Sequence, residues 1–456
     1  MLKNILIKNK NLCLLFVIFW SLASFANRPL YTSKDGLELE VKFHARLLIP
    51  LTIEEVKGIG ENEKESYLER HLQPTLKYLF GPLTHNQLGS PQRNHSVKVD
   101  WNSAVKKGNL TEVPYEYRGK WILNRLRIDR NNLQVPLPFN EETVFSPRWK
   151  QCTDSAPDHQ TRSFFWYYWD PNRYGCDHIA GVQFQMVKVQ ILSETPILQK
   201  SFPEYPRLIV DQNGKKKLQM TFAFGYADEH NKKNPLKDYD IGASEFRAFL
   251  SFMRSDLEGF SESPLYLSEY PEHSNDESLV GFQYSKMVDE VQVVVRVVVN
   301  FRIDQMELFA KSFASDHDGL FAWFGHSRVG SGFDADQFVS MLKYSPELYS
   351  ISPRYQVIYW GGCNSYSYYT LPFFKLKATP SDPSGIKNLD IVANGLPSYF
   401  HLNSQNAQIA ARAFLDFDRK HSYQEIIEQI EKEARNSGIS VLAAVLGDED
   451  NPTLHE

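Results

Sequence analysis

The spacing of apolar positions changes part-way along the chain. From residue 27 to about residue 230 they fall in short runs rich in β-branched and aromatic residues, 37–48, 96–101, 181–192 and 218–224, with turn signals such as Asp211-Gln212-Asn213-Gly214 between them. That pattern predicts a mostly antiparallel β domain. Six consecutive aromatics, Phe164 to Trp169, are closed by Asp170-Pro171. A strand buried on both faces is the expectation there, with a stacking platform for a sugar or a peptide as the alternative.

Around 225–236 the chain turns polar and lysine-rich, and helical spacing then begins with Phe246, Phe249, Leu250 and Met253. This sets the expected domains at 27–230 and 231–456. After a further loop the pattern reads strand, helix, strand, helix, strand. Residues 291–300 are nearly continuous valine, as in a strand covered on both faces of a parallel sheet. Asp304 then caps a helix with Glu307 three residues on, and Met306, Phe309, Ala310 and Phe313 form one apolar stripe. Residues 319–325 read as a second buried strand. A helix carrying Phe338, Met341 and Leu342 follows the cap candidate Asp334, and 355–360 and 389–393 read as further strands. Two helices close the pattern, 404–418 and 422–436, the second opened by a Ser422–Glu425 capping box and ended by Gly438. No internal repeat recurs at a fixed period. The expected fold class is α+β and multidomain, an antiparallel β domain followed by an α/β sandwich.

Composition narrows the function without naming it. The chain has 456 residues, 42% hydrophobic and 23% charged, which excludes a disordered or low-complexity protein. With 50 basic residues against 55 acidic ones there is no field to hold a polyanion, so nucleic acid is not an expected partner. The first 26 residues read as a secretory signal: three lysines and no acid, the apolar run 12–20, then Ser24-Phe25-Ala26 before Asn27. An N-terminal membrane anchor is the alternative, but the run is shorter than the roughly 20 residues that span a bilayer. Cleavage after Ala26 implies export to the periplasm or beyond, and no later stretch is apolar enough to span a membrane. Of the four cysteines, Cys13 falls in the signal. Cys152 and Cys176 share one irregular segment and are expected to pair in an oxidising compartment, which leaves Cys363 as a free thiol. Cys152, His159, Cys176 and His178 are also plausible zinc ligands, but their spacing fits no compact motif. Neither a metal nor a cofactor is expected.

In an open parallel sheet reactive groups collect beyond the carboxyl ends of the strands. One strand ends in Phe324-Gly325-His326-Ser327-Arg328 and the next in Trp360-Gly361-Gly362-Cys363-Asn364. If the two strands are neighbours, His326 and Cys363 reach hydrogen-bond distance and the thiol gains a base. A helix beginning at Cys363 would lower the thiol's pKa by its dipole. Gly325, Gly330, Gly332, Gly361 and Gly362 would let a peptide backbone approach closely. Taken singly, a His after an apolar strand serves most often as the partner of a loop carbonyl, and a lone Cys as core filler.

An apolar strand ending in His, followed about 37 residues later by an apolar strand ending in small residues and Cys, resembles the caspase-like cysteine peptidases, among them caspases, legumains, gingipains and separases. The likeness covers roughly residues 285–445 and does not reach 27–230. It implies an endopeptidase that cleaves peptide or protein amide bonds through a thioester, with Cys363 as nucleophile and His326 as base. The backbone N–H groups of Cys363 and Ser327 would be the oxyanion donors, although Ser327 stands where the clan usually has Gly. Arg328, Asp334 and Asp336 are near enough in the chain to shape specificity, though surface charge is the plainer use of each. Residues 379–388 fall where such enzymes carry a processing loop. Three other readings compete: an inactive caspase-like scaffold or binding protein, an L,D-transpeptidase acting on peptidoglycan, and a sortase. The last two are all-β folds, and the transpeptidases carry an Arg soon after the Cys, where Asn364, Ser365, Tyr366 and Ser367 stand here.

Overall fold

The computed structural model describes residues 31–196, 200–212, 214–228, 234–270, 273–313, 318–327, 333–344, 351–448 and 451–453. The expected signal segment lies outside them. Five parallel strands form the centre of the larger sheet: β1 (Lys215–Phe224), β2 (Val291–Val299), β3 (Asp318–Phe324), β4 (Gln356–Trp360) and β5 (Leu389–Asn394). Their order is β2-β1-β3-β4-β5, and the antiparallel strand β6 (Ala443–Leu446) follows β5. Antiparallel strands Leu279–Val288 and Ser261–Tyr266 extend the sheet beyond β2, and Tyr31–Thr32 pairs with β6 at the far edge. The winding reverses between β1 and β3, so a crevice opens beyond their carboxyl ends.

Helices cover both faces, which is why β3, β4 and β5 are buried along their whole length. On one face Phe246 and Phe249 of the helix Ile241–Asp256 pack on Phe224, and that helix lies against Asn403–Leu415, itself packed on Tyr423–Asn436. On the other, Phe309 of Gln305–Phe313 meets Phe321 and Trp360, with Phe338 of Ala335–Tyr344 and Phe373 of Thr370–Lys377 around it. The caps stand as the sequence predicts. Asp304 accepts from Met306 N–H at 2.8 Å, Asp334 from Asp336 N–H at 2.9 Å, and Ser422 with Glu425 forms its capping box.

Two expectations about the first half need correction. Residues 218–224 are assigned by pattern to the β domain, whereas β1 runs parallel to β2 and β3 at the centre of the α/β sheet. A boundary at 230 would therefore cut that sheet from its central strand. The reason is physical: a short run buried on both faces carries no mark of which sheet it joins. The aromatic run is not a strand either, because Phe165–Tyr168 is a helical turn that buries Phe165, Tyr167 and Trp169.

The first unit is an antiparallel sheet of Gly89–Val99, Leu110–Asn124, Gly36–Ile49 and Gln190–Glu194, in that order. Short helices between 53 and 85 bring Leu72, Leu76, Leu79 and Leu83 into one core with Leu39, Val41 and Trp121 of the sheet. The protein is thus mixed α/β with several sheets. Its two parts are tied by buried polar contacts. Tyr366 donates to Glu38 at 2.6 Å, a carboxylate that also accepts from Lys120 and Thr195, and Ser90 donates to Gly395 O at 2.7 Å. No helix among the described residues is long and apolar enough to cross a membrane.

Candidate active site

Four loops leave the carboxyl ends of β1, β3, β4 and β5 side by side. Gly225 N–H donates to Phe324 O and Gly361 N–H to Trp323 O, each at 2.8 Å, so pairing persists one residue beyond the strands. A Cβ added at Gly225 would lie 3.1 Å from the Gly325 Cα. Glycine at both places lets the β1 and β3 ends close on each other.

His326 is half-buried at this junction. Its Nε2 lies 3.1 Å from the Ala227 carbonyl oxygen, and its ring stands nearly perpendicular to that of Phe400 with centroids 4.9 Å apart. A carbonyl only accepts, so Nε2 carries a proton, and Nδ1 is the nitrogen left to act as a base. Ala227 is fixed in turn. Its N–H and that of Asp228 donate to the Asp240 carboxylate at 3.0 and 2.8 Å, and Asp240 also caps the helix Ile241–Asp256 through Gly242 and Ala243. The imidazole is therefore oriented through β1, the strand the sequence pattern leaves in the other domain.

Cys363 is the one free cysteine among the described residues and is also half-buried. Its thiol points to Ser398, with Sγ 3.5 Å from the carbonyl oxygen and 3.8 Å from Oγ. No hydrogen bond joins Cys363 to His326, so the expected contact is not made in this state. The expected lowering of the thiol is absent too. The helix after Cys363 spans only Ser365–Tyr368, and desolvation pushes the thiol up against weaker lowering by Ser398 and by its own backbone N–H. The two loops are nonetheless stitched together, because Ser327 Oγ donates to the Cys363 carbonyl at 2.5 Å. Arg328, Gly330 and Gly332 lie outside the described residues. Asp334 serves as a helix cap, and Asp336 accepts from Arg93.

Asn364 turns the chain sharply after the thiol, with φ at +47°. Asn tolerates this left-handed conformation better than most residues, and here both polar atoms of its side chain are bonded. Tyr167 OH donates to its Oδ1, and its Nδ2 donates to Gly395 O at 3.1 Å. Tyr167 comes from the aromatic run, so the first unit supplies a strut to the loop that carries Cys363. Tyr167→Phe is expected to cost about 1–3 kcal/mol, because it leaves the Oδ1 of a buried Asn364 unpaired. Urea denaturation of Tyr167→Phe, Asn364→Ala and the double variant checks this; strictly additive losses would mean the two side chains are not coupled.

Cys152 and Cys176 form a disulfide. Both sulfurs of the alternative zinc set are thereby consumed, His159 is bonded to Asp154 at 2.6 Å, and His178 accepts from Trp169 Nε1 at 3.0 Å. Four residues of the site escape sequence reasoning: Ala227, Ser398, Asn364 and Tyr167. The first two act largely through backbone carbonyls, which leave no side-chain signature. A polar residue directly after a free Cys at a strand end was the one legible signal for Asn364.

Comparison with protein-family models, with curated proteins and with solved structures finds no match to this chain. What fold and site define is a doubly wound α/β unit with a free thiol and an oriented imidazole on adjacent strand ends, buttressed by an antiparallel β unit.

Proposed function

We propose that the protein is an exported cysteine peptidase of caspase-like type, with Cys363 as nucleophile and His326 as general base and acid. The observation that carries this reading is the orientation of His326. Nε2 is bonded to the Ala227 carbonyl, which leaves Nδ1 to act as the base, and Cys363 follows the strand paired with the one that His326 follows. Attack of the Cys363 sulfur on a peptide carbonyl would form the thioester, His326 would protonate the leaving amine, and water would release the acyl group. Catalytic contacts are often long before substrate arrives, and the thiol would have to leave Ser398 to meet the imidazole. The disulfide and the want of a membrane-spanning helix among the described residues agree with export. The parallel sheet speaks against the all-β transpeptidase and sortase readings.

A second reading has one observation in its favour. A thiol bonded to Ser398 and raised by desolvation suits a scaffold that has kept the fold without the reaction. Thiol-directed labelling at pH 6–7, mapped by mass spectrometry, separates the two. A peptidase should label at Cys363 fast, and His326→Ala should slow the rate at least about tenfold, the loss of a base that raises the thiolate fraction. A Cys363 that stays inert until the protein is denatured supports the scaffold. The stretch 379–388 is a compact turn, with Thr379 and Asp382 exchanging backbone bonds and Lys387 N–H held by the Asp382 carboxylate at 3.0 Å. Self-processing there would first have to open it.

A further inference from the structure

A cavity of about 440 Å³ lies where the short helices of the first unit, the aromatic run and Tyr368 meet. The chemistry at the strand ends does not use it. Its floor is aromatic: Phe80 stacks on Tyr368 with ring centroids 5.4 Å apart and meets Trp166 edge-on at 5.7 Å. Phe164 and Trp166 line it as half-buried rings, unlike the fully packed Phe165 and Trp169 beside them in the chain. The volume suits a ligand of one or two rings, and junctions between units are where such sites commonly form.

The charged side chains that line the cavity are basic. Lys77 and Arg93 line it, and no Asp or Glu does. The Lys77 ammonium lies 6.0 Å from the centre of the Trp166 ring, which places cation and aromatic face within reach of one ligand. Arg93 sits where the strand Gly89–Val99 slips register against its neighbour between Pro91 and His95, a bulge of the kind that re-aims side chains. Arg93 donates one N–H to Asp336 at 2.5 Å, an exposed pair of small worth that occupies one edge of the guanidinium fork.

We infer that this cavity binds a carboxylate-bearing aromatic ligand, its ring against Phe164 and Trp166 and its carboxylate against Lys77 and Arg93. A free aromatic amino acid and the carboxyl end of a peptide with an aromatic last residue share that chemistry. The inference is independent of whether Cys363 reacts.

The test is calorimetric titration of the full chain with N-acetylphenylalanine and with N-acetylphenylalaninamide, which differ at the carboxylate alone. The acid should bind at least about tenfold more tightly than the amide, the factor that about 1.4 kcal/mol supplies. Lys77→Gln combined with Arg93→Gln should reduce the acid to the level of the amide. Both replacements are at exposed residues, so loss of binding cannot be put down to loss of fold. Trp166→Ala should weaken acid and amide alike. Competition by phenylalanine or by Gly-Gly-Phe distinguishes the two sources, and either result supports the site. Equal affinity for acid and amide, no binding of the acid at millimolar concentration, or binding untouched by the double variant overturns it.

Discussion

Replacing both Cys152 and Cys176 by serine is expected to lower stability by about 3 kcal/mol, the loop-closure entropy of a bridge across 24 positions of chain. The loss should not stay local. The bridged segment contains Tyr167, whose hydroxyl holds the buried Asn364 next to Cys363. Trp169 and Phe165, on either side of Tyr167, are fully buried with Cys152 and Tyr78 in a small core of their own. With that core small, the bridge is expected to contribute much of what fixes the segment. Hydrogen exchange followed by mass spectrometry should therefore show faster exchange at 149–178 and also at 363–368. If the second segment exchanges as in the parent protein, the aromatic run does not support the Cys363 loop and the strut is incidental. Using serine in place of a reductant leaves Cys363 chemically untouched, so a change in its alkylation rate can be read in the same samples.

The second large effect is on pH dependence. Asp390, on β5, is wholly buried, and desolvation raises its carboxyl to about 7 although Tyr355, Tyr423 and Asn451 all donate to Oδ2. Its Oδ1 has no partner among the described residues. Burial likewise raises Glu431 to about 7. Both acids hold a proton in the folded chain that the unfolded chain has given up above pH ~4. Their contribution is thus fully present below that value and is lost as pH rises to about 7. For Asp390 the shift from 3.8 to about 7 corresponds to at most about 4 kcal/mol, at 1.36 kcal/mol per unit. His71, His95 and His178, all lowered by desolvation, act in the opposite sense as pH falls through their unfolded range. The comparison that isolates the carboxyl is therefore Asp390→Asn against the parent, by urea denaturation from pH 5 to pH 8. Relative to the parent, the variant should gain stability as pH rises from 5 to about 7 and then level off. A constant difference across that range would mean that Asp390 is ionised in the folded protein throughout.

How far the sequence reaches depends on how many partners an element needs. β2 to β5 and the two final helices follow from local pattern, because a valine run, a capping box and a closing Gly438 are read without knowing what lies beside them. The disulfide follows from proximity in the chain and an odd cysteine count. β1 does not, since its residues suit either sheet, and the helices between 53 and 85 were passed over because several short turns never build a long apolar stripe. The Thr52–Glu55 capping box was the available sign of the first of them. At the site, strand-end logic brings His326 and Cys363 to one edge. It cannot say which neighbour each atom turns to, because Ala227 O and Ser398 O are choices of backbone geometry.

The pairing of Tyr31–Thr32 with β6 bears on the order in which the molecule can assemble. The register joins Tyr31 to Val445, so the opening strand has its partner only when nearly the whole chain is available. Between them in sequence lie the complete antiparallel unit and all five parallel strands. Contacts of such long range are paid for in loop entropy before they return anything. Closure at β6 is thus a late event, and until it occurs the outer edge of β6, an apolar strand, stays unpaired and open to other copies of the chain. Yield on refolding should accordingly fall with protein concentration more steeply than the stability of the finished fold suggests.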